Sequence, residues 1–173
     1  MSAHEQTAGR DIWSAEDYDQ KVAPYVATLT EKIVAWLNPS PNGKIHYCRP
    51  EFVTDLPFDK VFSNAALHWI LRDENTRVSF MKACFDALKP GGKFVSESGA
   101  LGNVAEVHTA LIGELVHRGV PQQKALELSP WWFPSIEAMR SLVESAGFQG
   151  IRGEIELRQT KLTENEDGAI AGW

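Results

Sequence analysis

The sequence lacks most of the features that narrow a function at first sight. It has two cysteines in 173 residues, Cys48 and Cys84, with no CxxC or Cys/His spacing. That excludes a disulfide framework and an ordinary zinc site, and both residues read as buried reduced thiols. No Lys/Arg cluster is present and the net charge is −6. Nucleic acid and anionic membrane surfaces need a basic footprint, so they are excluded as main partners in favour of a small molecule or a protein. No run approaches the roughly 18 apolar residues that span a bilayer. The N-terminal MSAHEQTAGRDIW has no apolar leader core, and the expected compartment is the cytoplasm. There is no internal repeat and no low-complexity tract.

What remains is a foldable composition, 43% hydrophobic and 23% charged, of a length that suits one domain of roughly 100 to 200 residues. The reading is a single domain over 1–173 with residues 1–13 polar and disordered. Ser14 followed by Asp17 resembles an N-cap with an acid in the first turn. Val22, Tyr25, Val26, Leu29, Ile33, Val34 and Leu37 then follow a helical stripe to the Asn38-Pro39 stop, with a kink or new first turn at Pro24. Short strands are expected at 44–48, 58–63 and 93–96. Between the last two, Val78, Met81, Phe85 and Leu88 share a helix face, and Pro90-Gly91-Gly92 turns the chain back into strand. Val104, Val107, Leu111 and Leu115 form another stripe. Ser135 caps a helix bearing Ile136, Met139, Leu142 and Val143, stopped at Gly147. Ile151, Ile155 and Leu157 alternate as a half-buried strand. Strands alternating with helices predict an α/β fold, a mainly parallel sheet with helices on both faces.

Four blocks carry a family resemblance: IWSAEDYD at 12–19, FDKVFSNAALHWI at 58–70, LKPGGKFVSESGALGNV at 88–104 and PWWFPSIEAMRSLVESAGF at 130–148. In that order they resemble the class I S-adenosylmethionine-dependent methyltransferases, and in particular the branch containing trans-aconitate methyltransferase. The resemblance implies a Rossmann-like methyltransferase sheet, S-adenosylmethionine as cofactor, and a small-molecule acid or hydroxylated metabolite as methyl acceptor. It places Ser63, Asn64, Ala65 and His68 at the mouth of the site, where ligands of open α/β sheets sit outside the carboxyl ends of the strands.

One family element is missing. Members carry an Asp-x-Gly-x-Gly loop after the first strand and an acid at the end of the second. Here Ile45 is followed by HYCRPEFVTDLPFDK, which has neither. The loop glycines let backbone N–H groups approach the cofactor, and the acid takes the ribose hydroxyls. The sheet is therefore expected to be truncated by about two βα units, on the order of 50 residues. Only nine residues, 49–57, separate the first two strand candidates, fewer than a helical parallel crossover needs. They are expected to pair as a hairpin or the first not to form. Strand 58–63 would then have one bare edge, a template for self-association or a partner chain.

Each candidate residue has a functional and a packing reading. His68 is the candidate catalytic group, as general base or hydrogen-bond donor, or else a strand-end His orienting a loop. For the cofactor the candidates are Ser63, Asn64, Ala65 and Asp55, the last also readable as a solvated loop carboxylate. For substrate they are Trp13 and Tyr18 as a lid, Asn103 in a loop near the acceptor, and Trp131, Trp132 and Phe133 as an aromatic wall or a core plug beside Pro134. Glu97, near the end of its strand, reads as a substrate contact or a solvent-facing carboxylate. Two functional classes follow: a methyltransferase impaired in cofactor binding, or a non-catalytic relative that acts as a protein-interaction subunit.

Overall fold

A computed structural model describes residues 26–47 and 57–158. The chain divides into two compact units, Lys32–Glu156 and the terminal parts Met1–Glu31 with Leu157–Trp173; the architecture below is that of the first. Helix α1, Val26–Leu37, ends where Asn38 adopts a left-handed φ of 47° and its N–H donates to the Val34 carbonyl at 2.9 Å. Pro39 could not have continued it. Lys60 Nζ reaches across from the sheet to the carbonyls of Leu37 and Asn38, a cation on the negative end of the helix.

The sheet has three strands in the order β1 (Ile45–Tyr47), β2 (Phe58–Asn64), β3 (Leu88–Glu97), all parallel. The hairpin expected for the first two is thus overturned: Ile45, His46 and Tyr47 pair in parallel with Lys60, Val61 and Phe62. The rule that a parallel crossover needs a dozen residues assumes a helix on the way. Here the link, 48–57, only has to return from the level of Phe62 to that of Phe58, about 13 Å at strand rise. Ten residues reach roughly 33 Å when extended. A consequence is that β2 is the middle strand, and Val61, expected on a bare edge, is wholly buried.

Alternation along β2 and β3 gives the sheet two covered faces. On one, Val61 and Phe94 pack with Cys84, Ala87 and Phe80. On the other, Phe62 and Val95 pack with Ile33, Leu37 and Trp36 of α1. After β2 come the short helix α2, Leu67–Ile70, and α3, Glu74–Asp86, whose N-cap Asp73 accepts from the Asn75 N–H at 3.0 Å. Of the stripe expected at Val78, Met81, Phe85 and Leu88, Met81 is wholly buried and Leu88 already belongs to β3, whereas Val78 and Phe85 are 50% and 38% exposed and Phe80 and Cys84 complete the inward face of α3. Phe85 instead meets Phe148 edge to face at 5.2 Å. Full burial of a side chain the size of Met81 contributes about 2 to 3 kcal/mol.

Pro90-Gly91-Gly92 lies inside β3 and does not precede it. Phe58 pairs with Leu88 but Lys60 with Lys93, so these residues form a bulge. Gly91 has φ +76°, and a Cβ on Gly92 would stand 2.9 Å from the Lys89 carbonyl oxygen. Asp59 ties this end together by accepting from the Lys44 N–H at 2.9 Å and from Lys89 Nζ at 2.7 Å.

Helices α4 (Ala105–His117) and α5 (Gln122–Glu127) pack on each other. α4 buries none of its residues, and Leu111 of the expected stripe is 52% exposed. Helix α6, Ile136–Ser145, matches its sequence signals. Ser135 Oγ accepts from the Ala138 N–H at 3.2 Å. At the other end Gly147 (φ +105°) and Phe148 return their N–H groups to Glu144 and Val143 in a Schellman motif. Leu142 and Val143 join Leu67, Leu71 and Met81 in the largest core cluster. The strand expected at Ile151, Ile155 and Leu157 does not form: among the described residues no strand pairs with this segment, and Ile155 and Leu157 are exposed. Side chains hold the segment instead. Glu154 and Glu156 pair with Lys32, and Arg152 lies 4.4 Å from the Trp36 ring centroid. This unit is α/β, a truncated Rossmann-like sheet with helices on both faces.

Candidate active site

The carboxyl ends of β2 and β3 open onto a cluster of rings. Past Asn64 the chain leaves the sheet through Ala65, a non-glycine residue at φ 51° whose N–H still donates to the Glu97 carbonyl at 2.9 Å. Such a conformation costs of order 1 to 3 kcal/mol and persists only where the surroundings enforce it. Leu67, wholly buried, anchors α2 and sets His68 over the loop that follows β3.

His68 is held from three sides. Its Nδ1 accepts the Gly99 N–H at 3.2 Å, and its own carbonyl accepts the Trp132 N–H at 2.8 Å. Its ring lies between Trp69, 5.5 Å away, and Phe133, 5.6 Å away. Burial pushes the imidazole pKa below its ordinary value, which favours the neutral ring. Trp131 stacks on Phe133 at 5.7 Å and meets Trp69 edge to face at 5.4 Å. His68, Trp69, Trp131 and Phe133 therefore form a closed circuit of ring contacts. Gly99 fits because it has no side chain: a Cβ there would lie 2.6 Å from Phe133 Cε1 and 2.6 Å from Asn103 Nδ2. An open groove of about 590 Å³, lined by Arg72 and Phe80 among others, shares Trp69 with this circuit.

The sequence candidates divide accordingly. His68, Trp131 and Phe133 come together, and the Asn103 amide sits beside Gly99. Trp132 turns away into the core cluster, its ring 4.1 Å under the Arg77 guanidinium; of the two roles weighed for it, its contacts are those of a plug. Ser63 and Asn64 lie at the end of β2. Ser63 is wholly buried and its Oγ has no hydrogen-bond partner among the described residues; Ala65 is exposed, and Glu97 is half-buried opposite Asn64. Trp13, Tyr18 and Asp55 lie outside the described residues. Sequence reasoning passed over His108, whose Nε2 lies 3.0 Å from Ser129 Oγ and whose ring faces Trp131 at 6.0 Å. The available signal was its place in the α4 stripe, four residues after Val104 and next to Val107. Among the described residues no group of His, Cys, Asp and Glu is placed to hold a metal ion, and no helix is long and apolar enough to cross a membrane.

No family model matches this sequence. It is, however, 31% identical over 185 aligned positions to an uncharacterized methyltransferase, C70.08c, of Schizosaccharomyces pombe, covering 80% of this chain and 71% of the relative. The chain belongs to that methyltransferase family. As a methyltransferase it has to bring a methyl donor against an acceptor, and in an open parallel sheet the place for both is the carboxyl ends of the strands. The rings of His68, Trp69, Trp131 and Phe133 stand at that end of β2 and β3. β1 ends at Tyr47, and the following ten residues, 48–57, contain no glycine.

Proposed function

We propose that this methyltransferase is built for S-adenosylmethionine and a small acid or hydroxylated metabolite, and that the chain as it stands binds the cofactor weakly. The observation that carries the reading is an asymmetry: an acceptor side of His68, Trp131, Phe133 and Asn103 beside a first strand that leads into a glycine-free link. The comparison supports it. Since 80% of 173 residues is about 138, the 185 aligned positions leave roughly 47 where the relative has residues and this chain has none. That is close to the two βα units whose absence the motif order implies. Calorimetric titration with S-adenosylmethionine tests the reading. The expected dissociation constant is weaker than about 10 µM, near −7 kcal/mol; tighter binding would refute the impairment.

A second reading, a non-catalytic subunit that associates with another copy of the chain, is favoured by the outer edge of β3. Among the described residues this ten-residue strand has β2 as its single neighbour, and a long unpaired edge invites pairing. Sedimentation over a wide concentration range would give concentration-dependent mass if this holds, and one monomeric species if it does not.

A further inference from the structure

We propose that His68 is a substrate-binding donor and not a base: its ring is protonated at Nε2 and offers that N–H to a carboxylate oxygen of the acceptor. The inference rests on the acceptor-site reading above and narrows its two acceptor classes to one. A backbone N–H can only donate, so the ring atom that meets Gly99, Nδ1, must present a lone pair. A neutral imidazole then carries its single proton on Nε2, and the Gly99 bond at Nδ1 is the ring's one hydrogen bond among the described residues. To accept a proton the ring would have to do so at Nδ1 and break the Gly99 bond. The groups that meet the ring from its own helix, from the loop after β3 and from segment 131–133 are Trp69, Gly99 and Phe133, none of them charged. Nothing there stabilises an imidazolium, and burial disfavours one.

This protonation state discriminates between acceptors. A hydroxyl must shed a proton before its oxygen can take a methyl group, and His68 in this tautomer cannot receive it. A carboxylate already carries the electron pair and needs only to be positioned. Its oxygen would accept from Nε2–H, and a hydrogen bond with an ionised acceptor is about twice as strong as a neutral one. The Asn103 amide, beside Gly99, is a second neutral donor in reach of the same loop. The stacked Trp131 and Phe133 would take the apolar body of the molecule.

The test is nitrogen-15 NMR of the histidine rings and tryptophan indoles in the full chain at pH 7.5, titrated with succinate and, separately, with its hydroxyl counterpart butane-1,4-diol. The expected result is a His68 ring protonated at Nε2 alone. Succinate should shift the His68 Nε2 and Trp131 indole signals saturably, while the diol moves neither. His68→Asn keeps an acceptor for Gly99 but loses the distal donor, and should weaken succinate binding at least fivefold with the Trp131 signal as reporter. His68→Gln, which keeps a distal N–H, should lose less. A ring protonated at Nδ1, an imidazolium, or equal binding by wild type and His68→Asn would overturn the donor role while succinate shifts at Trp131 still upheld the acceptor site. No movement of any site signal with either probe would overturn the acceptor-site reading, and this inference with it.

Discussion

The Arg77 guanidinium lies over the Trp132 ring, 4.1 Å from its centroid, while its Nε and Nη2 donate to the carbonyls of Leu71 and Arg72 at 2.7 and 3.2 Å. One side chain thus fastens the α2–α3 turn to the segment that carries Trp131 and Phe133. Arg77→Ala removes the cation–π contact and two charge-assisted donors, and should cost about 1 to 3 kcal/mol. Chemical denaturation measures it. Arg77→Lys should recover less than half, because an ammonium cannot stack flat on an indole and donate in two directions at once.

The left-handed Gly147 ends α6 and touches Phe85 at 3.3 Å from where a Cβ would stand. Gly147→Ala must strain the backbone and push that ring, so a loss of about 1 to 2 kcal/mol is expected by equilibrium unfolding. Gly113, in exposed α4 with nothing near its Cβ position, is the control: Gly113→Ala should raise stability by about 0.5 to 1 kcal/mol.

Gly99→Ala would set a methyl group 2.6 Å from both Phe133 and Asn103. Overpacking of this kind costs about 1 to 3 kcal/mol. The displaced Phe133 ring should also disturb its stacking partner Trp131. A shift of the Trp131 indole resonance that exceeds those of the other tryptophans, in a variant that still folds, is the expected signature.

Stability should fall on acidification in two stages. Burial holds His68 below its ordinary pKa of 6.5, so the native protein binds fewer protons than the unfolded chain just below that value, and stability rises with pH there. The contribution is complete above pH 6.5 and is lost as pH falls towards the folded value. Asp59 is depressed below 3.8, first by the Lys89 hydrogen bond and then by the Lys44 N–H; its contribution is present above that pKa and is lost below it. Unfolding midpoints recorded from pH 8 to 3 should show both stages. His68→Asn should remove the upper one and leave the lower.

Local chemistry was enough to read α6 from the sequence. Ser135 satisfies the first orphan N–H groups, and Gly147 is the residue type that can take φ +105°, so both ends are decided within a few residues. The same holds for the Asn38-Pro39 stop, for the strand at 58–63, and for the order of motifs that points to a methyltransferase. His68, Trp131 and Phe133 could be named in advance as candidates because ring-bearing residues at strand ends and around prolines are informative by type.

Their arrangement depended on contacts between segments far apart in the chain, which periodicity does not encode. Whether 44–48 would turn back or run parallel depended on the energy of its ladder with Lys60 to Phe62, not on the length of the link alone. Val78 and Phe85 share a stripe with Met81, yet in the fold Met81 packs inward with Phe80 and Cys84 and leaves the other two at the surface. Ile151, Ile155 and Leu157 alternate as a strand should, but alternation only orients side chains. A strand also needs a neighbour for its N–H and C=O groups, and no described strand stands beside this segment, so it is held by Lys32 and Trp36. The proton on His68 is the sharpest case. The sequence supplies an imidazole, and only the fold brings the Gly99 N–H to Nδ1 and decides which nitrogen is left to act.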